Sequence, residues 1–171
     1  MRILKLIVLC CIITLSVFCR QGYGDDMILT SPAFENNKNI PNRFTCDGEG
    51  KNPPLKIDRI PKDTKSLVLI VDDPDAPMGT FVHWVVYDIP VISSIGEGDV
   101  PGKQGMNTTK GVDWVSPCPP FGTHRYIFKI YALDKEIGLK DGATKAQVEK
   151  AMEGHMLDKA ELIGLYKRSV A

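Results

Sequence analysis

The chain has 171 residues, and its 21 lysine and arginine residues are balanced by 21 aspartate and glutamate residues. This balance argues against the basic face that a nucleic-acid-binding protein needs for its phosphate contacts. A hydrophobic fraction of 43% is ordinary for a globular protein, and the sequence contains no internal repeat or low-complexity segment.

The first 24 residues have the pattern of a secretory signal peptide. Arg2 and Lys5 precede residues 6–18, which are almost entirely apolar, and small residues then occupy positions 22 and 24. Such a basic start, short apolar segment and small-residue cleavage site are typical of export signals. The apolar segment is also too short to span a bilayer, so we expect no stable membrane insertion.

Cleavage after residue 24 leaves residues 25–171 as a single domain, which we expect to be periplasmic or secreted. The leader carries three basic residues and no acid, so 18 basic and 21 acidic residues remain, a net charge of −3 (18 − 21). The alternative is a lipoprotein acylated at Cys19. Phe18 disfavours it, because the lipoprotein signal needs a small residue at that position.

Only Cys46 and Cys118 of the five cysteines remain after cleavage. An even pair in an exported chain favours a disulfide. The alternative is two free thiols lining a pocket, and the sequence leaves both possibilities open.

Most of the predicted elements are strands. Residues 27–31 and 55–57 predict short strands, residues 36–54 predict a loop with a possible strand at 43–46, and residues 92–118 predict a long excursion. Residues 66–71 form a continuous apolar run typical of a strand buried on both faces. Residues 81–89 are rich in Val, Trp and Tyr, and residues 125–133 alternate in polarity, so both predict strands.

One helix is predicted near the end of the chain. Thr144 and Gln147 form a capping-box pair, and an apolar stripe that includes His155 follows from residue 145 to about 159. Residues 161–168 then predict a last strand. Many strands with one late helix indicate a mainly β protein (β-rich α+β) rather than a doubly wound parallel sheet.

Two proline-stiffened loops each lead into a strand that begins with a histidine. The DPDAP turn, which contains Asp73, precedes His83, and the SPCPPFGTHRY segment delivers His124. Rigid turn chemistry explains such loops without any further function, and a single histidine is more often structural than functional. Two histidines and an acid at neighbouring strand ends are more suggestive of a binding site.

These motifs resemble the phosphatidylethanolamine-binding protein family, in its bacterial Raf-kinase-inhibitor-like branch. The resemblance is carried by DPDAP with HWVVYDIP and by PCPPFGTHRYIFKIYALD, and TCDGEGKNPPL and GHMLDKAELIGLYKR extend it over nearly all of the mature chain. It implies an antiparallel β-sandwich with a large central sheet and a C-terminal helix.

The resemblance also implies a small pocket for anionic groups such as phosphate or phospholipid head groups, without catalysis, cofactor or metal. Asp75 would brace the turn, whereas Ser116 and Trp114 depart from the family pattern at the rim. The implied ligand-binding residues are Asp73, Pro77, His83, Pro117, Cys118, Pro119, His124 and Tyr126. Histidine N–H groups and the tyrosine hydroxyl would donate to the anion. Asp73 would orient a histidine and favour its protonated form, or would instead accept from an amine of a zwitterionic ligand.

Two catalytic alternatives use the same residues. In a metal hydrolase, Asp73, His83 and His124 would bind the ion, although the sequence lacks HExxH-type spacing. In a nucleophilic hydrolase, Ser116 or Cys118 would act with His124, although no G-x-S-x-G motif is present. A non-catalytic alternative is a protein-protein inhibitor module that modulates a partner protein, and a homodimer is also open.

Overall fold

The computed structural model of the chain describes residues 26–168. The predicted signal peptide (residues 1–24) and Cys19 lie outside the described residues. Residues 26–168 form nine strands and one α-helix. The elements are β1 (Ile28–Thr30), β2 (Lys38–Asn39), β3 (Leu55–Asp58), β4 (Ser66–Asp73), β5 (Phe81–Ile89), β6 (Ser94–Ile95), β7 (Lys103–Gln104), β8 (His124–Leu133), α1 (Lys145–Met152) and β9 (Met156–Tyr166).

The large sheet is built around β4. Its six strands have the order β2-β9-β8-β4-β5-β7, and β4 pairs antiparallel with both β5 and β8. Every residue of β4 is buried, which confirms the prediction of a strand covered on both faces. The predicted alternation in β8 is also confirmed, because Tyr126, Phe128, Ile130 and Ala132 all enter one core.

The two faces of the large sheet are covered differently. On one face the small sheet β1-β3-β6 contributes Leu29 and Ile57, which join Leu69 of β4 in the larger core. On the other face, Val148 and Met152 of α1 belong to a second, smaller core. The predicted mainly β sandwich with a large antiparallel sheet and a late helix is therefore confirmed.

The predicted helix at 145–159 is too long. Thr144 and Gln147 form the expected capping box, but α1 ends at Met152. Gly154 follows with φ +76°, a left-handed conformation that ends helices and that glycine adopts without strain. β9 then begins at Met156, five residues before the predicted strand at 161–168, and its long ladder with β8 includes residues that the stripe had placed on the helix.

Two shorter expectations also change. The possible strand at 43–46 is wrong, because Asn42–Phe44 forms a 3-10 turn. The expected excursion at 92–118 contains two two-residue strands, β6 and β7, that extend the edges of the two sheets.

The first and last parts of the described chain meet in the large sheet. β2 pairs parallel with β9, placing Lys38 beside Gly164 and Asn39 beside Leu165. A Cβ built on Gly164 would lie 2.5 Å from Cγ1 of Ile40, so only glycine allows this close approach.

Candidate binding pocket at the ends of three strands

The DPDAP turn is tied to β8 by an ion pair. The backbone N–H of Asp75 donates to Oδ1 of Asp73 (2.8 Å), and the Asp75 carboxylate accepts from the backbone N–H (2.9 Å), Nε (2.9 Å) and Nη2 (2.7 Å) of Arg125. The hydrogen bond from the Arg125 side chain lowers the pKa of Asp75 to about 2. Asp75 therefore braces the turn, as predicted.

Asp73 and His124 form a buried pair at the entrance of β8. Nδ1 of His124 lies 2.6 Å from Oδ2 of Asp73, and each side chain is only 5% exposed. An ionised carboxylate only accepts, so Nδ1 carries the proton of this bond. The Asp73 carboxylate thereby fixes the orientation of the ring and leaves Nε2 of His124 for other partners.

His83 is held differently, by the backbone of the neighbouring loop. Its Nδ1 lies 2.7 Å from the carbonyl oxygen of Val115, and the backbone N–H of Val115 donates to the carbonyl of His83 (3.1 Å). Its other ring nitrogen, Nε2, is buried and has no hydrogen-bond partner. Burial lowers the pKa of His83, which favours the neutral ring.

Tyr126 lies beside His83, two residues beyond His124 on the same face of β8. The ring centroids of Tyr126 and His83 are 5.1 Å apart in an edge-to-face arrangement. Tyr126 is completely buried, and burial raises the pKa of its hydroxyl. The hydroxyl therefore keeps its proton at neutral pH and can donate to a ligand.

These side chains surround a small cavity of about 180 Å³. Most of the residues implied by the family resemblance come together there. The lining residues are Asp73, Ala76, Pro77, Phe81, His83, Val115, Ser116, Cys118, Pro119, Pro120, His124 and Tyr126.

Pro117 is the exception among the predicted site residues. It is buried outside the lining, and its carbonyl accepts from the backbone N–H of Cys46 (3.0 Å). Sequence reasoning missed Ala76, Phe81, Val115 and Pro120. Phe81 could have been found, because it lies two residues before His83 and alternate residues of a strand share a face.

Cys46 and Cys118 are joined by a disulfide in the structure, with their Cα atoms 5.4 Å apart. Cys118 also lines the cavity, so the bridge ties one cavity wall to the loop that precedes β3. A disulfide-bonded sulfur is not a thiolate, and Cys118 in this form is no nucleophile.

Trp114, the second departure from the family pattern, packs behind the pocket. Its Nε1 donates to the carbonyl of Gly50 (2.9 Å), and its ring stacks on Phe128 (6.1 Å) and meets Trp84 edge-on (5.7 Å). The indole therefore supports the His83 side of the cavity from the core.

An apolar groove adjoins the cavity. It has a volume of about 490 Å³, is formed by residues 76–81 and Thr108, and shares Ala76, Pro77 and Phe81 with the cavity. Met78 in this groove is fully exposed. Phe121, whose ring lies 6.5 Å from that of His124, is 69% exposed, so exposed apolar side chains lie beside the cavity.

His155 lies far along the chain from these residues and has another role. Its predicted place in the helix is wrong, because α1 ends at Met152, and the side chain of His155 is 37% exposed. Its Nδ1 lies 2.9 Å from a carboxylate oxygen of Asp134.

Within residues 26–168, no three His, Cys, Asp or Glu side chains are grouped as a metal site would require. The same part of the chain contains no helix that is both long and apolar enough to cross a membrane.

The chain is similar to known proteins over nearly its whole length. Residues 30–167 match the family model of the phosphatidylethanolamine-binding proteins. A UPF0098 protein of Pyrococcus abyssi is 45% identical over 90% of this chain and 93% of its own, and one of Methanothermobacter thermautotrophicus is 47% identical over 83% and 99%.

Two solved structures share the fold. A homolog of phosphatidylethanolamine-binding proteins from Chlamydia trachomatis, CT736, is 42% identical, with a TM-score of 0.83 over 85% of this chain and all of that chain. YbcL of E. coli, described as a member of the mammalian family of these proteins, is 25% identical, with a TM-score of 0.77 over 84% of this chain and 99% of its own.

Proposed function

The chain belongs to the phosphatidylethanolamine-binding protein family, and from that premise we propose that it is an exported, non-catalytic binding protein for small anionic groups. The ligand is a phosphate, or a head group that carries one, bound in the 180 Å³ cavity. The proposal needs no cofactor or metal ion.

The observation that carries this proposal is the buried Asp73–His124 pair at the cavity. The carboxylate occupies Nδ1 of the ring, so a protonated His124 presents Nε2–H to the cavity. Tyr126 adds a hydroxyl that keeps its proton. Charge-assisted hydrogen bonds from such donors are the strong ones in anion recognition.

The rigidity of the site supports tight binding. The Asp75–Arg125 ion pair, the Cys46–Cys118 disulfide and the cavity prolines hold the walls in place before a ligand arrives. Preorganised walls leave more of the contact energy as affinity.

The geometry of the site does not favour the hydrolase alternatives. Asp73, His83 and His124 are not gathered as metal ligands within residues 26–168. Cys118 is held in a disulfide and offers no thiolate, whereas Ser116 does line the cavity.

Export is supported by the leader-like segment at residues 1–24 and by a disulfide, which oxidising compartments favour.

A second candidate function is the modulation of a protein partner or pairing with a second copy. It is favoured by the exposed side chains of Met78 and Phe121 beside the cavity. Sedimentation of wild type and Phe121→Ser over a concentration series tests self-association, which the substitution should weaken.

Calorimetry with a phosphate monoester tests the anion pocket. His124→Ala removes a charge-assisted hydrogen bond and should cost roughly 1.5–3 kcal/mol, about one to two decades of affinity. His155→Ala is the matched control, because His155 also pairs with a carboxylate but at an exposed site. Equal binding by wild type and His124→Ala would show that the pocket lies elsewhere.

A further inference from the structure

His83 is the cavity residue whose hydrogen bonding is incomplete. Of the side-chain nitrogen and oxygen atoms in residues 26–168, only Asp72 Oδ1 and His83 Nε2 are buried without a partner. Asp72 is outside the cavity lining, and its other oxygen binds Lys129 and Lys145. Nε2 of His83 is therefore the one unpartnered buried atom that belongs to a cavity residue.

The bond to Val115 determines what this nitrogen can do. A carbonyl oxygen only accepts, so the proton of the 2.7 Å contact belongs to Nδ1 of His83. A neutral imidazole carries a single N–H, and Nε2 then offers a lone pair. Nε2 can donate only if the whole ring becomes protonated.

The surroundings of His83 favour the neutral ring. Desolvation by burial is the largest influence and lowers its pKa, and the positive charge of a protonated His124 acts in the same direction. The hydrogen bond to the Val115 carbonyl and the carboxylates of Asp73 and Asp72 raise the pKa of His83 but do not reverse this shift. Tyr126, packed edge-on against the ring, keeps its proton and adds no charge.

Building on the proposed function, we propose that the cavity takes a phosphate monoester as its protonated monoanion, whose P–OH donates to Nε2 of His83. The charged oxygens of the same group accept from Nε2–H of His124 and the hydroxyl of Tyr126. His83 is thus a specificity-determining residue that favours the protonated ligand over the unprotonated one.

The contribution of that proton to affinity can be measured with two ligands that otherwise match. Methyl phosphate at pH 5 and methyl sulfate have the same tetrahedral shape and the same single charge, but only the phosphate carries an O–H. The sulfate cannot donate to Nε2 of His83 and forgoes the hydrogen bond that the phosphate gains, so it should bind about tenfold or more weakly than methyl phosphate. The purified protein, titrated by calorimetry with both ligands, gives this ratio directly.

The pH dependence of binding shows whether the ligand or a group of the protein titrates. A phosphate monoester loses its second proton with a pKa of about 6, so affinity should fall about tenfold per pH unit above that value. Replacing methyl phosphate by methylphosphonate, which is the weaker acid, should move the midpoint upward with the ligand's pKa. A midpoint that is the same for both ligands assigns the proton to the protein and overturns the inference.

Two further measurements use His83 itself. Nitrogen-15 NMR of the free protein should show its Nδ1–H tautomer, and the Nε2–H tautomer would contradict the argument. His83→Gln, whose amide can turn an N–H toward the ligand, should narrow the ratio between methyl phosphate and methyl sulfate. If this variant does not fold, the ligand pair on the wild-type protein decides alone.

The outcomes distinguish this inference from the function on which it rests. Tight binding of methyl phosphate with equal binding of methyl sulfate overturns the protonated-ligand inference and leaves the anion pocket standing. Binding of none of the three ligands between pH 5 and 8 overturns both.

Discussion

Replacing Asp73 by asparagine should reverse the tautomer of His124. The two carboxylate oxygens of Asp73 accept from two different donors, the backbone N–H of Asp75 and Nδ1 of His124. Asparagine has a single oxygen and can satisfy only one of them. The backbone N–H cannot give up its proton, whereas the imidazole can move its proton to Nε2. We therefore expect the amide oxygen to face Asp75 and the amide NH₂ to face a deprotonated Nδ1 of His124.

The expected cost follows from the same two bonds. Asp73→Asn keeps both contacts but exchanges two charge-assisted bonds for neutral ones, so it should destabilise the fold by about 1–2 kcal/mol. Asp73→Ala leaves the buried Nδ1–H of His124 and the backbone N–H of Asp75 without their acceptors, and its cost should be about 3–5 kcal/mol. At roughly 3 °C per kcal/mol, the two variants should melt several degrees apart.

Long-range nitrogen-15 NMR distinguishes the two imidazole tautomers, and urea unfolding gives the two free energies. Asp75→Asn is the matched control, because it changes a carboxylate of the same turn without touching His124. Retention of the Nδ1–H tautomer in Asp73→Asn, or equal unfolding free energies for the Asn and Ala variants, would refute the reasoning.

Three further predictions concern the disulfide, the turn and the groove. Cys46 and Cys118 enclose a loop with a sequence separation of 72, so replacing both by serine should lower the free energy of unfolding in urea by roughly 4 kcal/mol. Two free thiols in the denatured, unreduced mature protein would exclude the bridge. The pKa of Asp75 is lowered to about 2 by Arg125, so the stability that this pair contributes is present above about pH 4 and is lost as the pH falls toward 2; Asp75→Asn should flatten this acid loss, and an unchanged acid profile would contradict the assignment. In a series from methyl to butyl phosphate, each methylene buried in the apolar groove should improve affinity by up to about fourfold. Met78→Ser should reduce that gain without changing the affinity for methyl phosphate. Equal affinities along the series in the wild type would show that the groove does not contact the ligand.

The central strands were predictable because the burial of their side chains is reflected in the local sequence pattern. The continuous apolar run that became β4 and the alternation of β8 follow from burial on two faces, and both strands were found within two residues of their expected ends. The helix was overextended because residues 153–159 continue its apolar stripe. Only Gly154 signalled the stop, and the competing ladder with β8 is a tertiary interaction.

The candidate site was predictable in membership but not in chemistry. Histidines at strand entrances and prolines in the loops mark the cavity, whereas the proton positions depend on contacts between distant residues. Nδ1 of His83 meets the carbonyl of Val115, 32 residues later, and Nδ1 of His124 meets Asp73, 51 residues earlier. No local pattern encodes which ring nitrogen these contacts leave for a ligand.

The parallel pairing of β2 with β9 has a consequence for biosynthesis. Lys38 can pair with Gly164 only after almost the whole described chain has been made, while the β4–β5 hairpin is complete some 75 residues earlier (164 − 89). Contacts between such distant residues carry a large loop-closure entropy and form late. A partly synthesised chain therefore lacks the partner strand of β8, and until β9 has emerged this edge of β8 is unpaired and open to aggregation with other chains.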